Sequence, residues 1–227
     1  MPRRPRRATG GLVYHVLNRA IGRTTLFETP RDYLAFERII GQAHHRVPMR
    51  TLAFCIMPNH WHLVLWPRAD GDLSEFMRWL TLTHTQRRHA HRDTAGTGPL
   101  YQGRFKSLPV ETDAHFLTVC RYVERNPLRA NLVERAEDWR WSSLWWRVQS
   151  KVDDPTFLNE WPVPKPPEWP EVVSQPQNEA ELAALRVCIA RGRPYGPTPW
   201  VQRIADRLGL TSAFRPRGRP KRGRESF

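Results

Sequence analysis

The sequence contains few cysteines and no long hydrophobic run. Its three cysteines, Cys55, Cys120 and Cys188, are odd in number and far apart, so they predict neither a disulfide framework nor a zinc cluster. We therefore expect a protein of the reducing cytoplasm. No apolar stretch approaches the roughly 18–20 residues that span a bilayer. The initial MPRRPRRATGG lacks the apolar segment of a secretory signal, so no membrane partner is predicted.

Acidic residues are also scarce. The 227 residues include 36 Lys and Arg but only 22 Asp and Glu, which gives a formal net charge of +14 and a pI near 10.9. A chain this basic is expected to have an anionic partner, and nucleic acid is the first candidate. Apolar residues make up 40% of the chain, enough to build a core and to exclude wholesale disorder.

The positive charge is concentrated at the two ends of the chain, residues 1–9 and 213–227. Both segments are rich in Pro, Gly and Arg, and we interpret them as basic arms that bind phosphates, with a solubilising role as the alternative. The candidate DNA-binding residues of the arms are Arg3, Arg4, Arg6, Arg7, Arg217 and Arg219. The last two belong to an Arg-Gly-Arg-Pro sequence, which has the form of an AT-hook core that inserts into a narrow minor groove.

Residues 10–149 show the hydrophobic periodicity of an α+β domain. The predicted strands and helices alternate in the order β-α-β-β-α-β-α, which is the ferredoxin-like, split βαβ pattern with one additional helix. This order implies an antiparallel sheet with helices on one face. The strands are predicted near 11–18, 50–57, 60–66 and 105–110, and the helices near 30–46, 72–92 and 113–125.

The remainder of the chain has a different composition. Residues 150–178 contain seven prolines and predict an irregular connector, whose Trp161 and Trp169 indicate that it docks on the domain. Residues 179–212 contain two amphipathic stretches and predict a C-terminal helical extension, which the basic tail follows.

The first chemical signal is the His-Trp-His sequence on the third predicted strand. Side chains alternate along a strand, so His60 and His62 should point to the same face while Trp61 points into the core on the other. Two imidazoles at this separation can bind one divalent cation. The alternative is two ordinary polar residues on a half-exposed strand.

The second signal lies at the end of the helix predicted at 113–125. Tyr122 and Asn126 are one helical turn apart, so their side chains are neighbours. An Asn carbonyl oxygen can ligate Mg²⁺ or Mn²⁺, and a phenolic oxygen can attack phosphorus. The alternative is a packed tyrosine ring and an asparagine that ends the helix before Pro127.

Basic and aromatic residues alternate just before this helix. Arg104 and Lys106 flank Phe105 at the start of the fourth predicted strand. This combination suits phosphate contacts and base stacking, and the alternative is a solvated loop end.

Five stretches of the sequence together resemble one family. They are GLVYHVLNRA, AFCIMPNHWHLVLWP, GPLYQGRFKSLPVE, RYVERNPLRANLVE and DWRWSSL, and they occur in this order within residues 10–149. The chain resembles the REP-associated tyrosine transposases, a branch of the single-tyrosine HUH nucleases within the IS200-like transposases. Family members act on single-stranded DNA in which palindromic repeats fold into hairpins.

The resemblance implies a role for each matched residue. His60 and His62 match the HUH histidines that bind the metal, Tyr122 matches the nucleophile, and Asn126 matches the polar third ligand four positions later. These matches imply Mg²⁺ or Mn²⁺ as cofactor, a 5′-phosphotyrosine intermediate, and a monomer or homodimer near the nucleoid without a small-molecule cofactor. The alternative function is a non-catalytic DNA- or RNA-hairpin-binding protein derived from a transposase.

Overall fold

The computed structural model describes residues 8–149 and 157–215, which contain four strands and eight α-helices. The strands are β1 (Val13–Arg19), β2 (Met49–Met57), β3 (His60–Pro67) and β4 (Lys106–Val110). The helices are α1 (Pro30–Arg46), α2 (Asp72–Arg92), α3 (Ala114–Glu124), α4 (Asn126–Arg129), α5 (Ser143–Val148), α6 (Trp169–Ser174), α7 (Glu179–Arg191) and α8 (Thr198–Leu208).

The strands form one antiparallel sheet in the order β2-β3-β1-β4. β2 and β3 form a hairpin through a tight turn at Pro58 and Asn59, and β1 then lies between β3 and β4. The predicted ferredoxin-like, split βαβ order is thereby confirmed. In this register Leu17 of β1 lies opposite His62, and Arg19 lies opposite His60.

Helices α1 and α2 pack together on one face of the sheet. α1 begins with a capping box between Thr29 and Asp32 and with Pro30 in its first turn, a combination that favours helix initiation. Phe36 of α1, Phe76 of α2 and Trp61 of β3 are fully buried in the core between these layers. The predicted direction of Trp61 is therefore confirmed.

The other face of the sheet carries the remaining helices. Phe116 and Val119 of α3 pack there with Trp169 of α6 and Leu185 of α7. The expectation of helices on one face therefore holds for α1 and α2 and needs correction for the later helices. The reason lies in the strands, since β2 presents buried apolar side chains to both faces and neither face can be left to solvent.

The chain continues as helix beyond the predicted helix end. α3 ends at Glu124, and after Arg125 the short helix α4 begins at Asn126 with Pro127 in its first turn. Proline is accepted there because the first turn of a helix requires no intrahelical N–H donor.

The described residues of the connector and of the C-terminal segment pack on the domain. Trp169 is 2% exposed and contacts Trp161 edge-on, with 4.9 Å between the ring centroids, as the prediction of docking requires. Tyr195 forms a parallel bridge with Val110 and so lines the outer edge of β4. Among the described helices, none has the length and apolarity needed to cross a bilayer.

The core between α1 and the sheet provides a test of stability. Replacement of fully buried Phe36 by alanine leaves a cavity and should lower the free energy of unfolding by about 3–5 kcal/mol. Leu34→Ala in the same helix is the control, because Leu34 is 37% exposed and its loss should cost less than about 0.5 kcal/mol. Urea denaturation followed by circular dichroism measures both, and equal losses would contradict the assigned burial.

Candidate functional site

The two histidines of the His-Trp-His sequence lie on the α3 side of the sheet. His60 and His62 point to the same face of β3, and their ring centroids are 5.1 Å apart. Trp61 between them is buried on the opposite face. The strand alternation predicted from the sequence therefore brings both imidazoles to one place.

Hydrogen bonds orient both rings in the same way. His60 Nδ1 lies 2.6 Å from Asn59 Oδ1, and His62 Nδ1 lies 2.9 Å from Nε2 of His15. With its hydrogen on Nδ1, each ring keeps a lone pair on Nε2, which is the usual arrangement of histidines that bind metals.

His15 is a site residue that the sequence reasoning missed. It is fully buried in β1, its ring stacks on that of His62, and its Nδ1 has no hydrogen-bond partner in the described part of the chain. The sequence did contain a signal for His15, because a histidine inside an apolar strand needs a polar partner. The predicted topology places β1 beside β3, which carries such partners.

Burial keeps the histidines of the site neutral. It lowers the pKa of His60 to about 4 and of His15 to about 3, and it lowers the pKa of His62 well below its ordinary value. The positive charges of Arg19 and Arg129 lower the pKa of His60 and His62 further. Near neutral pH the imidazoles are therefore unprotonated and can act as ligands.

Tyr122 faces the same site from the last turns of α3. Its ring is 7% exposed and meets the ring of His62 edge-on, with 5.8 Å between the centroids. The Arg129 guanidinium lies over the tyrosine ring, 4.5 Å from its centroid, which is the geometry of a cation–π contact. The structure thus brings the predicted tyrosine to the predicted histidines.

Asn126 is buried beside Tyr122 at the start of α4. Its amide nitrogen donates to the carbonyl oxygens of Tyr122 (3.0 Å) and Val123 (3.3 Å), so the orientation of the amide is determined. Its Oδ1 accepts a hydrogen bond from Arg129. Arg129 was also missed in the sequence, although a basic residue three positions after Asn126 on a helical segment is its natural neighbour.

These side chains line one cavity of about 480 Å³ between the sheet, α3 and α7. The basic residues that line it are Arg19, Arg104, Lys106, Arg129 and Arg186, and the lining described for it includes no Asp or Glu. Such a cavity attracts anions.

The predicted DNA-binding residues divide into two groups. Arg104 and Lys106 lie in the wall of this cavity, whereas Arg19 of β1 and Arg186 of α7 are additional cations that were not predicted. The other six predicted contacts lie outside the described residues, and they are Arg3, Arg4, Arg6, Arg7, Arg217 and Arg219.

The donor set of the cavity fits a divalent cation. Within residues 8–149 and 157–215 no three His, Cys, Asp or Glu side chains gather into a metal site, so the ligands would be His60, His62 and the amide oxygen of Asn126. The carbonyl oxygen, together with substrate oxygens, suits Mg²⁺ or Mn²⁺, whereas imidazoles also suit zinc.

Comparisons with known proteins identify the family of the chain. The family model described as "Transposase IS200 like" matches residues 8–126. A Haemophilus influenzae protein named as a REP-associated tyrosine transposase is 25% identical over 130 residues, which cover 53% of this chain and 74% of that protein.

A solved structure supports the fold. The structure of a REP-associated tyrosine transposase bound to a REP hairpin superposes with a TM-score of 0.53 at 18% identity, over 70% of this chain and 92% of that one. The family match covers more than half of the chain and includes His60, His62, Tyr122 and Asn126. The resemblance inferred from the five sequence stretches is therefore confirmed, and the chain belongs to the IS200-like transposase family.

Proposed function

We propose that this protein is a metal-dependent transposase and endonuclease for single-stranded DNA. It cleaves and rejoins DNA beside palindromic-repeat hairpins through a 5′-phosphotyrosine at Tyr122. The observation that carries the proposal is the convergence of His60, His62, Tyr122 and Asn126 on one cavity with a cationic wall. All four residues come from one chain, so one copy holds a complete candidate centre, whether the protein acts as a monomer or as a homodimer.

The choice of DNA as substrate follows from the charge of the cavity and from the relatives. Arg104, Lys106 and Arg186 can each contact a phosphate, and the cavity lining carries no described carboxylate that would repel one. The transposase with the similar fold was solved with a REP hairpin, which supports a folded palindromic repeat as the substrate here.

The metal site supports catalysis of phosphoryl transfer. His60, His62 and Asn126 would hold Mg²⁺ or Mn²⁺, which supplies positive charge to the oxygens of the scissile phosphate. Asn59 Oδ1 accepts from Nδ1 of His60, and His15 would accept from Nδ1 of His62 in the tautomer that leaves Nε2 of His62 free for the ion. Asn126 would contribute its Oδ1, which has a second lone pair besides the one that accepts from Arg129.

Tyr122 supplies the nucleophile. The phenol loses its proton as its oxygen attacks the phosphorus, the bond to the 3′ oxygen breaks, and this oxygen takes up a proton to leave a free 3′-hydroxyl. The phosphotyrosyl ester retains the energy of the broken bond, so attack by a second 3′-hydroxyl rejoins DNA without ATP. The cation–π contact with Arg129 holds the ring at the cavity, so the phenol is already positioned near the site of reaction.

Substitution of the nucleophile separates catalysis from binding. Tyr122→Phe removes only the hydroxyl, so we expect no covalent protein–DNA adduct and an unchanged dissociation constant for a repeat hairpin. Denaturing gels with labelled oligonucleotides and Mn²⁺ measure the adduct, and fluorescence anisotropy measures binding. An adduct that persists in the variant would refute the assignment. Hairpin binding without an adduct in the wild type would favour the non-catalytic alternative.

The same binding assay addresses RNA as a substrate. An RNA hairpin of identical sequence differs from the DNA by its 2′-hydroxyls and its A-form stem. Tighter binding of the RNA form would favour the alternative of an RNA-hairpin-binding protein.

Loss of one imidazole should abolish metal-dependent cleavage. We expect His62→Ala to give no detectable cleavage at any Mn²⁺ concentration that supports the wild type, because two ligands cannot hold the ion firmly. His45→Ala on α1 is the matched control, since His45 is exposed and remote from the cavity, and it should cleave normally. Cleavage by the wild type in excess EDTA would rule out the metal-dependent mechanism.

The cavity cations should contribute to affinity through counterion release. Replacing both Arg104 and Lys106 by Met should weaken binding to every DNA sequence and reduce the slope of log K against log salt by about 0.7–0.9 per lost contact. The control replaces two exposed arginines of α1, Arg31 and Arg38, by Met. Equal slopes for the two double variants would show that Arg104 and Lys106 do not contact phosphates.

A further inference from the structure

The last part of the proline-rich connector packs against the helix that carries the candidate nucleophile. Residues 169–177, called the strap here, run across the outer side of α3 and comprise α6 and the three residues after it. Val173 of the strap is fully buried in the same core cluster as Val119 and Val123 of α3. The strap is therefore part of the packing around α3.

Arg121 of α3 and Arg125, the residue directly after α3, bind the strap through its backbone. Arg121 donates to the carbonyl oxygens of Gln175 (2.8 Å) and Pro176 (2.9 Å). Arg125 donates to the carbonyl oxygen of Val173 (2.9 Å) and to that of Ser174. These carbonyls lie at and just beyond the end of α6, where a helix leaves acceptors unsatisfied and favours cations, so the guanidinium groups are well matched to them.

A buried carboxylate attaches the inner side of the same helix. Glu124 is fully buried, and its two carboxylate oxygens accept hydrogen bonds from Ser143 of α5 and from the indole of Trp169 (2.6 Å). The Ser143 hydroxyl oxygen in turn accepts a hydrogen bond from the backbone N–H of Phe54 in β2 (2.9 Å). The end of α3 is thereby bound to the sheet on one side and to the strap on the other.

These contacts control the rotation of α3 about its own axis. Successive helical residues are about 100° apart, so Arg121 lies one such step before Tyr122 and Arg125 lies three steps after it. A helix held at both positions cannot turn without breaking hydrogen bonds to four strap carbonyls. A free turn of this helix would carry the Tyr122 ring away from His62 and the cavity.

We propose that Arg121 and Arg125 are positioning residues, which act through the strap to hold the Tyr122 phenol toward the cavity. The proposal concerns the reaction described under Proposed function and rests on it for its catalytic consequence. The placement of the ring itself is a structural claim that can be tested without activity. The proposed role does not require either arginine to contact DNA.

The positioning role is tested by comparing a test variant with a control variant. The test variant carries Arg121→Met and Arg125→Met, which keep the aliphatic stems and remove the four bonds to the strap. The control is Arg88→Met on the α1 and α2 side of the sheet. It removes two bonds to backbone carbonyls, those of Leu26 and Thr25, and the ion pair with Glu28. Thermal unfolding of both variants reports the loss of stability that each substitution causes.

Cleavage kinetics provide the first readout. Displacement of a reacting group by about 1 Å can cost roughly 100-fold in rate, so we expect the test variant to form the Tyr122 adduct about 10- to 100-fold more slowly. The hairpin dissociation constant and the Mn²⁺ dependence should stay as in the wild type. Arg121→Lys with Arg125→Lys keeps one donor at each position and should recover part of the rate.

Fluorine NMR provides a second readout that does not depend on activity. The protein has five tyrosines, so a 3-fluorotyrosine sample gives few resonances, and the Tyr122 signal is the one that Tyr122→Phe removes. We expect this signal to shift or broaden in the test variant and to stay unchanged in Arg88→Met. This readout distinguishes the two proposals, because a moved signal in a protein that forms no adduct contradicts the proposed function but supports the positioning role.

Three outcomes overturn the positioning role. The first is an unmoved Tyr122 signal in the test variant. The second is weaker hairpin binding in that variant, which would assign the two arginines to DNA contact. The third is a loss of cleavage rate in Arg88→Met equal to that in the test variant. This result would show that the slower cleavage comes from a general loss of stability.

Discussion

The two-residue period of β3 is the constraint on which the candidate site depends. It directs His60 and His62 to the α3 side of the sheet and Trp61 into the core between the sheet and the α1 and α2 layer. The large buried indole anchors the strand, because a shift of register by one residue would turn Trp61 toward the α3 side and both imidazoles into the core with α1 and α2. The same packing that stabilises the fold therefore determines where the two imidazoles point.

Burial and charge act together at this site. The neighbouring strand and helices exclude water from the imidazoles, which keeps them neutral, while the surrounding arginines and Lys106 keep the cavity positive. Neutral ligands leave the whole charge of a bound cation available to a phosphate, and the basic wall draws the phosphate in. Arg129 connects two residues of the site, because it contacts both the tyrosine ring and the amide oxygen of Asn126.

The segments beyond the ferredoxin-like core have defined places in the structure. α7 contributes Arg186 to the wall of the cavity, the Tyr195 segment lines the edge of β4, and the strap binds the outer side of α3. These additions explain why both faces of the sheet are apolar. They also connect the proline-rich part of the chain, which from composition alone was a simple connector, to the helix that carries Tyr122.

The sequence by itself determined the strand and helix order, the shared face of His60 and His62, and the neighbouring positions of Tyr122 and Asn126. These features depend on local periodicity, which a sequence displays directly. Only the tertiary structure decided the partner of His62, the contact of Arg129 with Tyr122, and the packing of later helices on the second face. Such contacts join residues far apart in the chain or depend on the packed orientation of a side chain, and no local pattern specifies either.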